Sequence, residues 1–396
     1  MQDNTRWLLP EGIDELLPPQ AAKVEALRRQ LLDLYNLWGY QLVYPPLVEH
    51  LNSLLTGAGS DLELQTFKLT DSLSGKLLGI RADTTPQVAR IDAHKLGGTG
   101  VNRLCYHGTV LRTNPQGLSN GRAPAQIGIE LFGHGGIESD AEILELMLET
   151  LAQSGLKNAC LELGHVGIFR ALVEHAQLDQ SQEQQLMEIL QRKAVTELKD
   201  LLQSWQLTEQ TQQMLASLVD LYGDQSVIDK ARKSLAAAPE SLHVALDQLE
   251  AIVALLRRRH PNAQVIFDLG ELRGYHYHTG VVFSAYLPGA GQAVAQGGRY
   301  DDIGKAFGCE SRPATGFSTC LKTLMTLGQT EMPQQQTILA PVEGENAALE
   351  AAVKQFRQAG HVVIRLLPDQ DMQQAEAGCS HQLVSADDGW QVKPLN

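Results

Sequence analysis

Cysteine is scarce and scattered in this chain. The five thiols, Cys105, Cys160, Cys309, Cys320 and Cys379, are odd in number, widely spaced and without a C-x-x-C pair. That excludes a disulfide framework and a thiolate zinc cluster, and leaves reduced, separately packed side chains. No run of roughly 18 uninterrupted apolar residues occurs, so no membrane-spanning helix is expected. The opening MQDNTRWLLPEGIDELLPP lacks the basic-then-apolar order of an export signal, and the expectation is a cytoplasmic protein with no membrane partner. Cations are also few: 32 Lys and Arg against 46 Asp and Glu give a formal net charge of −14. A nucleic-acid role has to be argued against that balance, because neutralising phosphates dominates such binding. The densest basic run, Arg257-Arg258-Arg259-His260, follows AIVALL and precedes Pro261, the pattern of a helix C-terminus with its cations set against the dipole.

With 396 residues and 43% hydrophobic content, the chain is long enough for a sizeable core in two or three units. Val24, Leu27, Leu31, Leu34, Tyr35 and Trp38 recur at helical spacing and predict an amphipathic helix over 21–38, closed by Gly39. The period then changes. YQLVYPPLVE, QTFKLTD, KLLGIRADTT, RLCYHGTVLRT and AQIGIELFGH are short, β-rich and bounded by turn formers, with little helix between them, which favours an antiparallel sheet. Ser139-Asp140-Ala141-Glu142 has the form of a capping box before another helix. Residues 167–260, rich in Gln, Leu and Glu, read as a helical insertion, after which QVIFDLG, YHYHTGVVFSAYL and AVAQGGRYDDI resume the sheet and TGFSTCLKTLMTLG reads as a closing helix. Beyond the QTEMPQQQ linker, TILAPV, NAALEAAVKQFRQAG and HVVIRLL alternate strand, helix, strand. The expected fold class is α+β, with a core over residues 1–325, the insertion inside it at about 167–260, and a small C-terminal α/β domain over 337–396.

Polar residues gather in four segments: Arg81-Ala82-Asp83-Thr84-Thr85, Arg112, Gln126 with Glu130, and Arg273 to Thr279. Gln126, Gly128 and Glu130 alternate with Ile127, Ile129 and Leu131, so one strand face presents an amide and a carboxylate to a polar ligand. In ELRGYHYHTGVVF, a strand would turn His276 and His278 to one face, either as half a metal site or as part of another pocket. No H-x-x-x-H or neighbouring cysteine supplies further ligands, so no metal and no cofactor is expected. GRYDDIGKA imitates a phosphate-binding loop, but its spacing is one residue too long and Ala306 lacks the hydroxyl that holds magnesium.

These segments together resemble a class II aminoacyl-tRNA synthetase core, and within that class histidyl-tRNA synthetase. RWLLPEGIDELLP and GYQLVYPPLVE are similar to its opening and first, dimer-forming motif; GTVLRTNPQGLSNGRAPAQIGIELFG is similar to its second motif, with Arg112, Gln126 and Glu130 at matching positions; ELRGYHYHTGVVF matches the histidine-specific peptide, with Arg273 at the catalytic arginine. The departures are equally specific. Where the third motif carries its ATP-clamping arginine, this sequence has Lys322 and Thr323, and threonine cannot replace a guanidinium. The glutamate expected soon after the second-motif arginine is absent, and His276 occupies an acidic position. From Glu331 onward Lys354, Arg357, Arg365 and Lys393 face nine acidic residues, a balance that repels an RNA backbone.

A histidine-recognising face without its ATP and tRNA apparatus resembles the regulatory subunits of ATP phosphoribosyltransferase, the synthetase-like partners of the short-form catalytic subunit in the first step of histidine biosynthesis. The resemblance implies a class II synthetase-like antiparallel sheet flanked by helices and a subunit without catalysis of its own. It also implies a homodimer, a hetero-oligomer with the short-form catalytic subunit, L-histidine as feedback effector, and no tRNA. The implied ligand set is Asp83, Thr85 and Gln126 for the ammonium, Arg112 and Arg273 for the carboxylate, and His278 with Glu130 for the imidazole. Tyr277 is counted with the set, although a strand would turn it to the opposite, packed side. The alternative readings are an active histidyl-tRNA synthetase and a synthetase-like amino-acid-activating enzyme, both of which require ATP.

Overall fold

A computed structural model describes residues 7–57, 60–115, 121–329, 336–342, 346–370, 378–386 and 389–395. The QTEMPQQQ linker, apart from its end residues, lies outside them, as do residues 116–120 of the second-motif segment. The chain divides into compact units over residues 1–330 and 331–396.

The first unit is built on a nine-stranded sheet. Its order runs Gln41–Leu42, Asn102–Thr109, Ala125–Phe132, Ala314–Cys320, Ala295–Arg299, Val281–Tyr286, Cys160–His165, Gln264–Asp268 and Tyr222–Gly223. The central pairings are antiparallel, as the short β-rich segments led one to expect. Cys160–His165 and Gln264–Asp268 pair in parallel because the intervening insertion returns the chain to the same end of the sheet. That insertion is helical from Val166–Ala176 to Glu240–Arg259, and the short Tyr222–Gly223 strand lends it a place at the sheet edge. The segments around Val48–His50, Phe67–Thr70 and Leu77–Ile80 form a separate three-stranded sheet instead of joining the main one.

The helix Gln20–Leu37 buries Leu27, Leu31 and Tyr35, and Ile137–Gln153 buries Ile143, Leu144, Met147 and Leu151. These side chains join Ile127, Ile129 and Leu131 of the central strand in one core, each fully buried Leu or Ile contributing roughly 1.5–3 kcal/mol. With one strand face committed to that core, the other is left for polar residues.

Four local expectations give way to the structure. The segment 271–280 forms turns, and the strand starts only at Val281. Gly274, at φ +67°, lets the chain reverse, and its carbonyl accepts from both Tyr277 N and His278 N at 2.8 Å; His276 and His278 therefore share no strand face. The helix expected to begin in a capping box starts earlier, at Ile137, with Gly136 at its N-cap. Ser139 Oγ donates to the Gly136 carbonyl at 2.7 Å, while Glu142 is drawn away to Arg103. The closing helix is a strand, Ala314–Cys320, followed by a short helix, Leu321–Leu327. Finally, RADTT leads directly into a helix over Thr85–Ile91, which supplies one wall of the cleft described below.

The second unit pairs Thr337–Ala340 in parallel with Val362–Arg365 and His381–Ala386, and packs the helix Ala347–Gln358 through Leu349 and Val353. A hairpin partner, Gly389–Pro394, completes its four-stranded sheet and was not evident in the hydrophobic pattern.

Candidate functional site

On the polar face of the main sheet a cleft of about 400 Å³ is lined by Asp83, Thr85, Arg112, Gln126, Glu130, Arg273, Tyr277 and His278, so all eight residues expected in a ligand set reach one cavity.

Glu130 lies at its buried end, 1% exposed. Its Oε1 accepts from Thr85 Oγ1 at 2.8 Å and from the Tyr106 hydroxyl at 3.1 Å, and its Oε2 accepts from the Tyr300 hydroxyl. Burial raises its pKa from 4.5 to about 8, against the pull of the three hydroxyls. The carboxyl thus keeps its proton in the fold at pH values where the unfolded chain has lost it. Its stabilising contribution is complete below about pH 4.5 and disappears as pH rises through about 8. Wild-type stability should therefore fall over that window more steeply than that of Glu130→Gln, by up to roughly 1.4 kcal/mol per pH unit. Urea unfolding of both proteins across the pH range checks this.

Gln126 and Asp83 hold each other. The Gln126 amide accepts from Thr84 N at 3.0 Å and donates to Asp83 Oδ1 at 2.9 Å and Ser318 Oγ at 3.1 Å, and Asp83 Oδ1 also accepts from Thr85 N at 3.1 Å. Arg112 Nε donates to the Ala82 carbonyl at 3.3 Å, bringing a cation to the rim. Arg273 is tethered by Ser284 Oγ at 3.0 Å, the Tyr286 hydroxyl at 3.3 Å and Glu271 at 3.4 Å. These contacts aim the guanidinium without burying it, its side chain remaining 49% exposed.

The two histidines of ELRGYHYHTGVVF divide. His276 is exposed and rests edge-on against Tyr275. His278 Nδ1 stands 3.2 Å from the Arg299 carbonyl, and burial lowers its pKa to about 4, which keeps the ring neutral at pH 7. Tyr277 does not turn away from the cleft as a strand position would require: it stacks on Tyr300 at 5.0 Å and still lines the cavity, with its hydroxyl buried and without a hydrogen bond. Among the described residues, the grouping with metal-ligand geometry is Glu145, Glu149 and His260, remote in sequence from the cleft, and Glu145 there is already paired with Arg259.

Sequence reasoning did not single out Tyr106, Tyr300 or Ser318. One signal for Tyr106 was present. Gly128 interrupts the strand, and a Cβ there would lie 2.6 Å from the Tyr106 hydroxyl, the close approach that a strand glycine marks. Outside the cavity lining, Lys322 Nζ is engaged by Asp14 Oδ1 at 2.8 Å, and Arg122 lies over Phe67 while bonding the carbonyls of Glu11 and Arg112. Lys322, at the position of the third motif's arginine, and Arg122 are thus tied to the protein's own N-terminal segment.

The histidyl-tRNA synthetase family model matches residues 12–324, and the model for the ATP phosphoribosyltransferase subunit HisZ C-terminal domain matches residues 335–393. Among solved structures, an ATP phosphoribosyltransferase regulatory subunit/histidyl-tRNA synthetase from Bacillus halodurans C superposes with a TM-score of 0.82 at 27% identity, covering 94% of this chain and 96% of that one. Fold and first unit thus define a protein of the class II, histidyl-tRNA-synthetase-like kind. ATP phosphoribosyltransferase regulatory subunits from Pseudomonas paraeruginosa (53% identity, 98% of both chains) and Thioalkalivibrio sulfidiphilus (52%, 97% of both) cover nearly the whole length. The chain belongs to the family of ATP phosphoribosyltransferase regulatory subunits, and its role is regulatory, without catalysis of its own.

Proposed function

We propose that this subunit binds free L-histidine in the cleft between Glu130 and Arg273 and passes that occupancy to a short-form ATP phosphoribosyltransferase catalytic subunit, which it activates and renders sensitive to feedback. The observation that carries the reading is the polarity of the cleft: a buried carboxyl among tyrosine hydroxyls at one end, and a tethered, half-exposed guanidinium on its wall. An imidazole N–H suits the first and an α-carboxylate the second. Asp83, Thr85 and Gln126 between them suit the ammonium, and His278 and Tyr277 border the ring. The rival reading, an active histidyl-tRNA synthetase, is disfavoured by Thr323 at the clamp position and by the acidic second unit, which argues against tRNA.

The test is ligand-induced stabilisation. L-histidine at ~100 times its Kd should raise stability by roughly 2.7 kcal/mol, and other amino acids at the same concentration should not. No shift with L-histidine would overturn the effector assignment.

The same reading makes the chain a homodimer. Leu42, Tyr44 and Leu47, in the segment resembling the dimer-forming motif, are 48%, 72% and 48% exposed in the single chain, and such a patch calls for a partner surface. Sedimentation at micromolar concentration should show a dimer; a strictly monomeric species contradicts the assignment.

A further inference from the structure

The insertion helix Gln180–Gln191 turns one stripe toward the cleft. Glu183, Met187 and Gln191 follow one another at four-residue intervals, so they lie along one side of the helix. Each end of that stripe meets the site. Glu183 Oε1 accepts a hydrogen bond from the Tyr275 hydroxyl at 2.6 Å, and Tyr275 is fixed beneath by Phe169 and by the Arg170 guanidinium over its ring. Met187 and Gln191 open onto the same cavity as Arg273 and Glu130. Just past the helix, Lys193 Nζ pairs with Asp268 Oδ2 at 2.6 Å. A helix that served only to cover the core would need Leu186 and Leu190, which are buried, but would not need a second stripe directed at a polar cleft.

We infer that this stripe is a wall of the effector site: a bound amino acid spans the sheet and the insertion, hydrogen-bonding the Gln191 amide through its backbone end and packing against the Met187 thioether. The inference rests on the amino-acid-binding reading of the cleft and deepens it, because it makes the insertion the element whose position reports occupancy. An unliganded cleft leaves the helix anchored in the core by Leu186 and Leu190 and tied on its cleft side by the Tyr275–Glu183 and Lys193–Asp268 contacts. A ligand adds contacts from within the cavity and holds the helix more firmly.

Amide hydrogen exchange of the full-length protein, with and without saturating L-histidine, tests this. Exchange across 180–191 should slow on binding. Gln191→Ala should weaken histidine about 3- to 10-fold in calorimetry, the size of one lost hydrogen bond. Gln185→Ala, exposed on the same helix and turned away from the stripe, should leave affinity unchanged. If wild type binds histidine but this helix gains no protection, or Gln191→Ala binds with wild-type affinity, the inference is overturned while the effector reading stands. Absence of histidine binding to wild type overturns both.

Discussion

Glu130→Ala and Arg273→Ala are each expected to abolish the thermal shift produced by L-histidine. Arg273 is the cleaner case. Its side chain is 49% exposed and its tethers are hydrogen bonds to Ser284 and Tyr286 and a half-exposed ion pair with Glu271, so its loss should cost the fold little. What goes is the charge that meets the ligand carboxylate, and losing a hydrogen bond to a charged group costs roughly 1.5–3 kcal/mol, at least about 10-fold in affinity. Glu130→Ala removes the other end. It also removes the carboxyl group that accepts from the hydroxyls of Thr85, Tyr106 and Tyr300, leaving Thr85 and Tyr106 only their bond to each other, so its own Tm should fall as well. Glu130→Gln, which preserves volume, separates lost recognition from lost stability. Thermal denaturation of the three variants with and without histidine is the measurement, and an unchanged shift in both alanine variants means that histidine binds elsewhere.

The second large effect concerns the strand facing Glu130. Gly316 pairs directly with Glu130 in the antiparallel ladder, and a Cβ at that position would sit 1.7 Å from Glu130 Oε2 and 2.4 Å from the Ile129 carbonyl. Neither atom has room to retreat: the carboxyl group is held by three hydroxyls, and the carbonyl belongs to a strand paired on both sides. Gly316→Ala should therefore destabilise the protein by about 3 kcal/mol, the upper end of what overpacking costs, and should displace Glu130 enough to abolish histidine binding. Gly291→Ala, where an added Cβ meets nothing within 4 Å, is the control expected to match wild type. Equal denaturation midpoints for the two variants would show that the Glu130–Gly316 contact is looser than described.

Part of the cleft could be read from the residues alone, and the rest of its expected lining followed from the resemblance to histidyl-tRNA synthetase. Gln126 and Glu130 were visible because a strand alternates strictly and their apolar neighbours had to face the core. The helix over 21–38 and the basic helix end at Arg257–Arg259 followed from spacing and charge, and both stand in the structure within a residue or two. The histidine peptide misled because His, Tyr, Thr and Val read as strand, while the decision belonged to Gly274, whose positive φ turns the chain before Val281. Ser139-Asp140-Ala141-Glu142 failed as a cap because Glu142 finds a stronger partner in Arg103, distant in sequence. Tyr300 and the Met187–Gln191 stripe were hidden for the same reason: their role depends on segments far apart in the chain meeting across the sheet, which no local period encodes.

If this chain senses histidine on behalf of a catalytic partner, linkage requires histidine and partner to affect each other's binding reciprocally. The most direct measurement mixes the purified chain with a short-form ATP phosphoribosyltransferase catalytic subunit and follows phosphoribosyl-ATP formation with and without L-histidine. The predicted result is a faster rate on mixing, inhibition by histidine, and loss of that inhibition with Arg273→Ala. A catalytic subunit whose rate and histidine sensitivity are the same with and without this chain contradicts the account.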